Sequence, residues 1–236
     1  MNPLLKLAVM ATAVVLAVHF VRAEECDSKV ILGLNMTDGN SETLTLNVGL
    51  TAKRGDDEDN TEFVAEYNYG ESEDEATVDN IKANAKRRSE LFGDTYGYGD
   101  ANFLRDEVAD IDYRFILGVG LGHYLIRDEI TKLAIEFGLA WITEDAGETD
   151  NILAFRFGQN LHHELSESAR IFESVEFLPE ADVWDNYLIN AKLGIEADIN
   201  DRVALRVALE DRYDYTPAEG RDENDLALIA GFSYAL

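Results

Sequence analysis

Apolar and polar residues alternate with a period of two from Tyr187 to the last residue, Leu236. The apolar set is Tyr187, Ile189, Ala191, Leu193, Ile195, Ala197 and Ile199, then Val203, Leu205, Val207 and Leu209, then Leu226, Leu228, Ala230, Phe232, Tyr234 and Leu236. This is the period of a β-strand, whose successive side chains point to opposite faces. Because the opposite face carries Lys, Arg and Glu, the pattern suits a barrel with hydrocarbon outside and polar groups inside. We therefore predict an all-β, closed, antiparallel transmembrane β-barrel with up-and-down topology.

The same alternation, followed backwards from Leu236, predicts about twelve strands. They lie near 28–36, 41–53, 61–70, 75–89, 94–104, 111–126, 129–143, 150–165, 168–179, 186–199, 202–215 and 224–236. An even number places both ends of the chain on the same side of a membrane, as in bacterial single-chain barrels. The alternation is weakest over 75–89 and 94–104, so ten or fourteen strands also fit.

The turn at Asn200 and Asp201 allows a finer prediction. Polar residues occupy even-numbered positions on both flanking strands, so opposed residues must have numbers with an even sum. This parity excludes a two-residue loop and fits a three-residue loop with a bulge, in which Asn200 or Asp201 is left-handed. The predicted opposed pairs are Asp198 with Arg202 and Gly194 with Arg206, and the predicted diagonal pairs are Glu196 with Arg206 and Lys192 with Glu210.

The inward parity selects charged and amide side chains that we expect to line the lumen. They are Arg114, Lys132, Glu136, Arg156, Asn160, Lys192, Glu196, Arg206 and Glu210. Gly118, Gly120 and Gly122 fall on the same face of the sixth strand. Inward glycines let a strand bend sharply or leave room for a bulky neighbour, and we favour these structural interpretations over a ligand site.

Aromatic residues with outward parity fall near the predicted strand ends. Tyr113, Trp141, Phe177 and Tyr187 lie near the outer ends, and Phe232 and Tyr234 lie near the periplasmic end. Girdles of aromatic residues mark both interfaces of a membrane barrel. The alternative is a soluble sandwich whose core holds these rings.

Residues 1–23 have the form of a secretory signal peptide. They contain no acid, carry Lys6, run apolar from Leu7 to Val21, and end in Ala23. The apolar run of about 15 residues is shorter than the roughly 20 that a transmembrane helix needs. We expect cleavage after Ala23 and one barrel domain over 24–236 in the bacterial outer membrane.

The chain carries a formal net charge of −27. Nucleic-acid binding requires a basic patch that neutralises phosphates, and the basic residues cluster only at Lys86-Arg87-Arg88. We therefore expect no nucleic-acid partner. The acidity fits either hydration of the loops or attraction of cations, and both interpretations stay open. A single cysteine, Cys26, excludes an internal disulfide.

Several short segments together point to a known family. They are Thr-Asp-Gly-Asn-Ser-Glu-Thr-Leu at 37–44, Ala-Asn-Ala-Lys-Arg at 83–87, Tyr-Gly-Tyr-Gly-Asp at 96–100, Asp-Tyr-Arg-Phe at 112–115, Gly-Val-Gly-Leu-Gly-His-Tyr at 118–124, and 133–144 with Glu136-Phe137-Gly138. In this combination the chain resembles the YdiY-like family of salt-induced outer-membrane proteins, domain-of-unknown-function family 481, over 30–236. The resemblance implies an exported barrel linked to salt stress. It supplies no catalytic or ligand residues.

No pattern points to catalysis, so we expect no enzyme, no cofactor and no metal centre. After residue 23 the histidines are His123, His162 and His163, and no serine stands in the context of a nucleophile. His162 and His163 are neighbours on a strand and point to opposite faces, so they cannot chelate one metal ion. The acidic runs 56–60 and 71–75 are most simply solvated. A milder hypothesis is that they gather divalent cations that bridge to lipopolysaccharide phosphates.

Two classes of function follow. The first is a narrow pore for ions or small solutes, with a cation preference set by acidic mouths and a link to salt or osmotic stress. The second is a structural or stress-response barrel whose lumen is closed by its own ion pairs. Twelve strands lie between the eight that side chains fill and the sixteen to eighteen that leave a channel, so size leaves both open.

An outer-membrane lipid hydrolase and a soluble periplasmic binding barrel are weaker alternatives. The expected partners are outer-membrane lipid and lipopolysaccharide, together with the barrel assembly machinery during biogenesis.

Overall fold

The computed structural model describes residues 26–37, 43–56, 59–73, 75–147 and 149–236. The predicted signal peptide over 1–23 lies outside them. The strands are β1 (Cys26–Thr37), β2 (Thr43–Gly55), β3 (Asn60–Ser72), β4 (Glu75–Phe92), β5 (Thr95–Asp106), β6 (Ile111–Arg127), β7 (Thr131–Asp145), β8 (Thr149–Ser166), β9 (Ala169–Pro179), β10 (Tyr187–Asp198), β11 (Val203–Asp214) and β12 (Asn224–Ala235). None of the described residues forms a helix long and apolar enough to cross a membrane.

Each strand pairs antiparallel with its neighbour in sequence, and β1 pairs with β12 to close a barrel. The closing register places Lys29 opposite Ala235 and Leu32 opposite Phe232. Closure satisfies the backbone groups that a free strand edge would expose. The prediction of twelve antiparallel strands in up-and-down order is confirmed, and each strand end lies within three residues of its predicted position.

The start of β1 at Cys26 and the end of β12 at Ala235 lie at the same end of the barrel. We call it the terminal end and the opposite one the loop end. Residues 93–94 and 167–168 make tight turns at the terminal end, whereas 180–186 and 215–223 are long connections at the loop end. Short turns on one side and long loops on the other are typical of outer-membrane barrels.

The wall is mostly apolar outside and mostly polar inside. Val119 and Leu228 are 64% and 72% exposed on the outer surface, whereas Glu136 and Glu196, which point inward, are 4% and 2% exposed. This reverses the arrangement of a soluble domain, in which carboxylates are rarely buried. The outer surface is mostly apolar, with exceptions such as Gln159 and Glu173, and suits a hydrocarbon solvent, whereas buried charges need partners inside the wall.

The turn between β10 and β11 differs from the predicted register. The three-residue loop and the even sum are present, but the loop is 200–202 and the backbone nitrogen of Ile199 donates to the oxygen of Val203 at 2.8 Å. The predicted opposed pairs are therefore wrong by two positions. Asp198 faces Ala204 and Gly194 faces Ala208, while Glu196 faces Arg206 and Lys192 faces Glu210, which were predicted as diagonals.

The predicted left-handed residue at Asn200 or Asp201 is also wrong. Among the described residues other than glycine, only Glu73 and Asp110 have positive φ. The Asn200 side-chain oxygen instead accepts hydrogen bonds from the backbone nitrogens of Arg202 and Val203, both at 3.0 Å. Such a side-chain turn closes the loop without a left-handed residue.

Inward glycines make room for large side chains on neighbouring strands. The facing pairs are Gly122 with Tyr96, Gly120 and Gly138 with Tyr98, Gly118 with Asp100, and Gly194 with Phe172. A Cβ atom at any of these glycines would overlap the facing side chain. The structure therefore shows room for a bulky neighbour, one of the two structural interpretations of the glycine run.

Substitution of Gly122 by Ala is expected to destabilise the barrel by about 1–3 kcal/mol, because overpacking forces Tyr96 to move. The measurement is the urea concentration at which the refolded barrel loses its heat-modifiable mobility, the gel shift between folded and boiled protein. Gly99→Ala is the matched control, since its Cβ would meet only the Gly118 oxygen, at 3.9 Å. Equal losses in the two variants would contradict the packing role of Gly122.

Candidate functional site

The interior of the barrel is the candidate site, because strand alternation directs most of the buried charges there. The residues predicted to line the lumen all lie on the inner face of the wall: Arg114, Lys132, Glu136, Arg156, Asn160, Lys192, Glu196, Arg206 and Glu210. They do not form one cluster. The structure distributes seven of them, all except Lys132 and Asn160, over the ion-pair groups described below, and it adds partners from β1, β3, β4 and β5.

The first group surrounds Glu136 on β7. The Lys86 ammonium lies 2.6 Å from both carboxylate oxygens, Arg156 donates at 2.8 Å, and the Tyr96 hydroxyl donates at 2.8 Å. The Tyr98 ring lies between the two cations, with its centroid 4.8 Å from each. One carboxylate, fully desolvated, therefore holds two cations and a hydroxyl from three other strands, β4, β8 and β5, in place.

A second group surrounds Glu196 near the terminal end. Lys29 on β1 donates at 2.8 Å, Arg206 donates at 3.2 Å, and Arg170 on β9 also donates. The Arg206 guanidinium stacks on the Phe172 ring, 4.1 Å from its centroid. The Phe172 ring itself occupies the space left by Gly194. Glu196 thus joins strands on both sides of β10.

A third group crosses the lumen. Lys82 on β4 lies 2.6 Å from Glu210 on β11, and Lys192 on β10 lies 3.2 Å from Glu66 on β3. Lys192 also lies 2.5 Å from Glu210. Both crossing pairs join strands that are five places apart one way around the barrel and seven the other. Nearly opposite walls are therefore in direct contact through charged side chains.

A fourth group crosses the lumen nearer the loop end. Arg212 on β11 lies 2.6 Å from Asp106 on β5, and these strands are six places apart in either direction. Arg114 on β6 binds both Asp214 on β11 and Glu144 on β7. The interior is thus bridged at two levels.

The mouth at the loop end is bridged as well. Arg221, in the connection between β11 and β12, lies 2.5 Å from Asp110, in the connection between β5 and β6. Both side chains are about half exposed, at 41% and 54%. The long β11–β12 connection is therefore fastened to the far rim of the barrel.

Comparison with known proteins identifies the family. The profile of a family described as "Protein of unknown function, DUF481" matches residues 30–236. The chain belongs to this family. No curated protein sequence matches it.

Solved structures place the DUF481 barrel among porin-type folds. The NanC porin structure has a TM-score of 0.55 and 9% identity, and the match covers 88% of this chain and all of that one. The translocator domain of the autotransporter NalP from Neisseria meningitidis has a TM-score of 0.47 and 13% identity, covering 97% and 96% of the two chains. The KdgM porin in complex with disordered oligogalacturonate has a TM-score of 0.47 and 6% identity, covering 89% and 99%. The likeness to the NanC porin shows the fold.

Several interior residues of this DUF481 barrel escaped the sequence analysis. Lys82, Lys86 and Arg88 lie on β4, where apolar alternation is weak, and they were not predicted to line the lumen. The signal was present in the polar positions, because they alternate with Ile81, Ala83, Ala85 and Arg87. Inward parity on β4 would have identified them.

An amide ladder on β2 to β5 also escaped prediction. Asn47 donates to Asn68, Asn68 donates to Asn80 at 2.9 Å, and Asn80 donates to Asp106 at 3.3 Å. It ends at the carboxylate that binds Arg212 across the lumen. The ladder orients Asp106 from its own side of the barrel.

The residues predicted to form aromatic girdles lie on the outer surface. Near the loop end the Tyr187 ring is 5.5 Å from Phe177 and 5.6 Å from Tyr213. Tyr113 and Trp141 lie near the same end, while Phe232 and Tyr234, 54% and 42% exposed, lie near the terminal end. Their spacing matches two bands at opposite ends of the wall.

The three histidines beyond the predicted signal peptide form separate contacts. His123 pairs with Thr95 at 3.0 Å, His163 with Thr131 at 2.8 Å, and His162 with Glu164 at 2.8 Å. Within the described residues no group of three His, Cys, Asp or Glu side chains is placed to hold a metal ion. The acidic runs 56–60 and 71–75 lie only partly within the described residues.

Substitution of Glu136 by Gln is expected to destabilise the barrel by about 3–5 kcal/mol, because it leaves Lys86 and Arg156 buried beside a neutral group. Urea titration of heat-modifiable mobility measures the loss. Glu107→Gln removes the partner of Arg105, 3.2 Å away on the exposed wall, and should cost less than about 1 kcal/mol. A Lys86→Met, Glu136→Met double variant should recover part of the stability. Equal effects of the two Gln variants would contradict the role of Glu136.

Proposed function

We propose that this protein is a non-enzymatic outer-membrane barrel that forms a narrow pore for ions or small solutes, with a preference for cations. The observation that carries the proposal is a charged interior inside an apolar wall. Polar side chains line the barrel from the Glu196 group to the Asp106 and Arg212 pair. A cavity of about 470 Å³ lies at the terminal end among residues that include Lys29, Arg170 and Glu196. Water and small ions have polar side chains to follow on that part of the inner face. Towards the loop end the inner face of β6 to β9 is apolar instead, with Ile116, Ile142 and Leu178 buried together.

The proposed cation preference rests on the distribution of acidic residues. Interior carboxylates are mostly paired with Lys or Arg, so the excess of negative charge lies elsewhere. Further acidic side chains in or beside the loop-end connections are Asp145, Asp150, Glu180, Asp182, Asp185, Glu219, Asp222 and Glu223. An acidic mouth raises the local concentration of cations.

A structural barrel without transport is the second candidate. It is favoured by the pairs that cross the lumen, Lys82 with Glu210 and Arg212 with Asp106, since they join opposite walls. In that case the ion pairs close the interior and stabilise the wall. The proposed link to salt or osmotic stress rests on the family resemblance and is compatible with either candidate.

Single-channel recording separates the two candidates. Refolded protein that shows heat-modifiable mobility is inserted in a planar lipid bilayer under a salt gradient. The pore proposal expects small discrete steps and a reversal potential of the sign for cation selectivity. Inserted barrels without steps would favour the structural candidate, and an anion-selective potential would contradict the role of the acidic mouth.

Replacement of Lys192 and Arg206 by Ala is expected to raise the single-channel conductance. Loss of Lys192 removes its contact with Glu66 across the lumen and its contact with Glu210 on the neighbouring strand. Loss of Arg206 removes the guanidinium that stacks on the Phe172 ring. The double variant should also be more cation-selective, because carboxylates lose positive partners. An unchanged conductance would show that neither residue lines the permeation path.

Breaking the mouth bridge is expected to raise conductance too. Arg221→Ala frees the β11–β12 connection from Asp110, and the charge swap Arg221→Asp with Asp110→Arg should restore the original step size. Arg105→Ala is the control, because Arg105 pairs with Glu107 on the outside of the wall. If the swap behaved like the single variant, the bridge would have no role in conduction.

A further inference from the structure

A groove crosses the outer surface of β5 to β9, and it has a volume of about 590 Å³. Two neighbouring rows of outward residues form its banks. The upper bank is Leu121, Phe137, Phe157 and Phe177, which oppose one another across successive strands. The lower bank is His123, Ile135, Gln159 and Val175 in the next register row. The floor between them is the backbone of the inward row, which includes Gly122 and Gly158.

The aromatic side chains make the upper bank continuous. The Phe137 and Phe157 rings lie 5.2 Å apart, and the Phe157 and Phe177 rings lie 6.1 Å apart. Phe137 is 54% and Phe157 37% exposed. The upper bank is therefore a continuous apolar ledge that is exposed on the outside of the barrel.

The groove runs obliquely from the terminal end towards the middle of the wall, because neighbouring strands are staggered. At one end Thr95 is the first residue of β5, at the terminal end of the barrel. At the other end Val175 is six residues above the start of β9. With about 3.3 Å per residue and the usual tilt of barrel strands, that rise is roughly 15 Å. It equals about half the thickness of a bilayer's hydrocarbon core, the depth of one leaflet.

The polar side chains of the groove lie at the depth where a lipid of that leaflet has its phosphate and ester groups. At the low end Thr95 Oγ1 and His123 Nδ1 share a hydrogen bond of 3.0 Å. When Thr95 donates this bond, His123 Nε2 carries a proton that it can donate to a phosphate oxygen. Higher in the groove the Gln159 amide nitrogen donates to both carboxylate oxygens of Glu173, at 3.3 and 3.0 Å, and its second hydrogen can be donated to an ester oxygen of a lipid.

We propose that this groove is a binding site for one phospholipid of the leaflet at the terminal end. An acyl chain lies along the phenylalanine ledge, and the phosphate lies at Thr95 and His123. The inference rests on the proposed placement of the barrel in a membrane. It does not depend on whether the lumen conducts.

Native mass spectrometry of the detergent-purified barrel tests the site, with palmitoyl-oleoyl phosphatidylethanolamine as the added lipid. The wild type should retain one lipid per barrel. His123→Ala should weaken retention by roughly tenfold, the factor expected when a hydrogen bond to a charged group is lost. Leu121→Trp, which fills the upper bank without touching His123, should weaken it as well.

Two controls match these variants. His163→Ala removes the other outward His–Thr pair, His163 with Thr131, which lies outside the groove. Leu228→Trp adds the same bulk on β12, on a distant part of the outer wall. Both should retain lipid like the wild type.

Heat-modifiable mobility in lipid is measured for every variant. A folded wild-type barrel that retains no lipid would overturn the site, and so would equal retention by the His123 and His163 variants. If the wild type itself failed to fold into lipid, the membrane placement would fail together with the site. The first two results leave the membrane barrel standing, so the failures are distinguishable.

Discussion

The structure depends on pairing the charged side chains that strand alternation turns inward. An isolated ion removed from water carries a desolvation cost of several kcal/mol, so every inward Lys, Arg, Asp or Glu needs a partner. Neighbouring strands supply some partners, as Glu196 does for Arg206. Others come from the opposite wall, as Asp106 does for Arg212. Pairing across the lumen fixes the width of the interior, because two opposite strands can separate only if their charges part.

The packing of the wall follows from the same need. Large inward side chains such as Tyr98 and Phe172 stack on the cations, and glycines on adjoining strands give them room. The rings screen the ion pairs from water, which strengthens them. The aromatic ring on one strand therefore depends on the glycine beside it for space, and a change of either residue disturbs the ion pairs that the ring contacts.

Period-two alternation predicted the closed barrel, because a strand buried on one face and in contact with hydrocarbon on the other must alternate. It predicted about twelve strands but left ten or fourteen open, because the alternation is weak over 75–89 and 94–104. It also identified the inward side of β10 and β11. The pairs that cross the lumen, such as Lys82 with Glu210, could not be predicted, because parity says which face a residue occupies but not what lies opposite in a closed sheet. The register at Asn200 was missed because the side chain of that residue closes the turn, a contact that alternation does not encode.

The central claim is that charged side chains of opposite strands touch inside the barrel. Solid-state NMR of the refolded barrel in lipid bilayers, with ¹⁵N in lysine and ¹³C in glutamate, measures this directly through nitrogen–carboxyl distances. The structure places Lys82 Nζ 2.6 Å from Glu210 Oε2, so a short-range contact should be present and should disappear in Glu210→Gln. Absence of that contact in the folded wild-type barrel would show that the opposite walls do not meet, and would contradict the bridged interior.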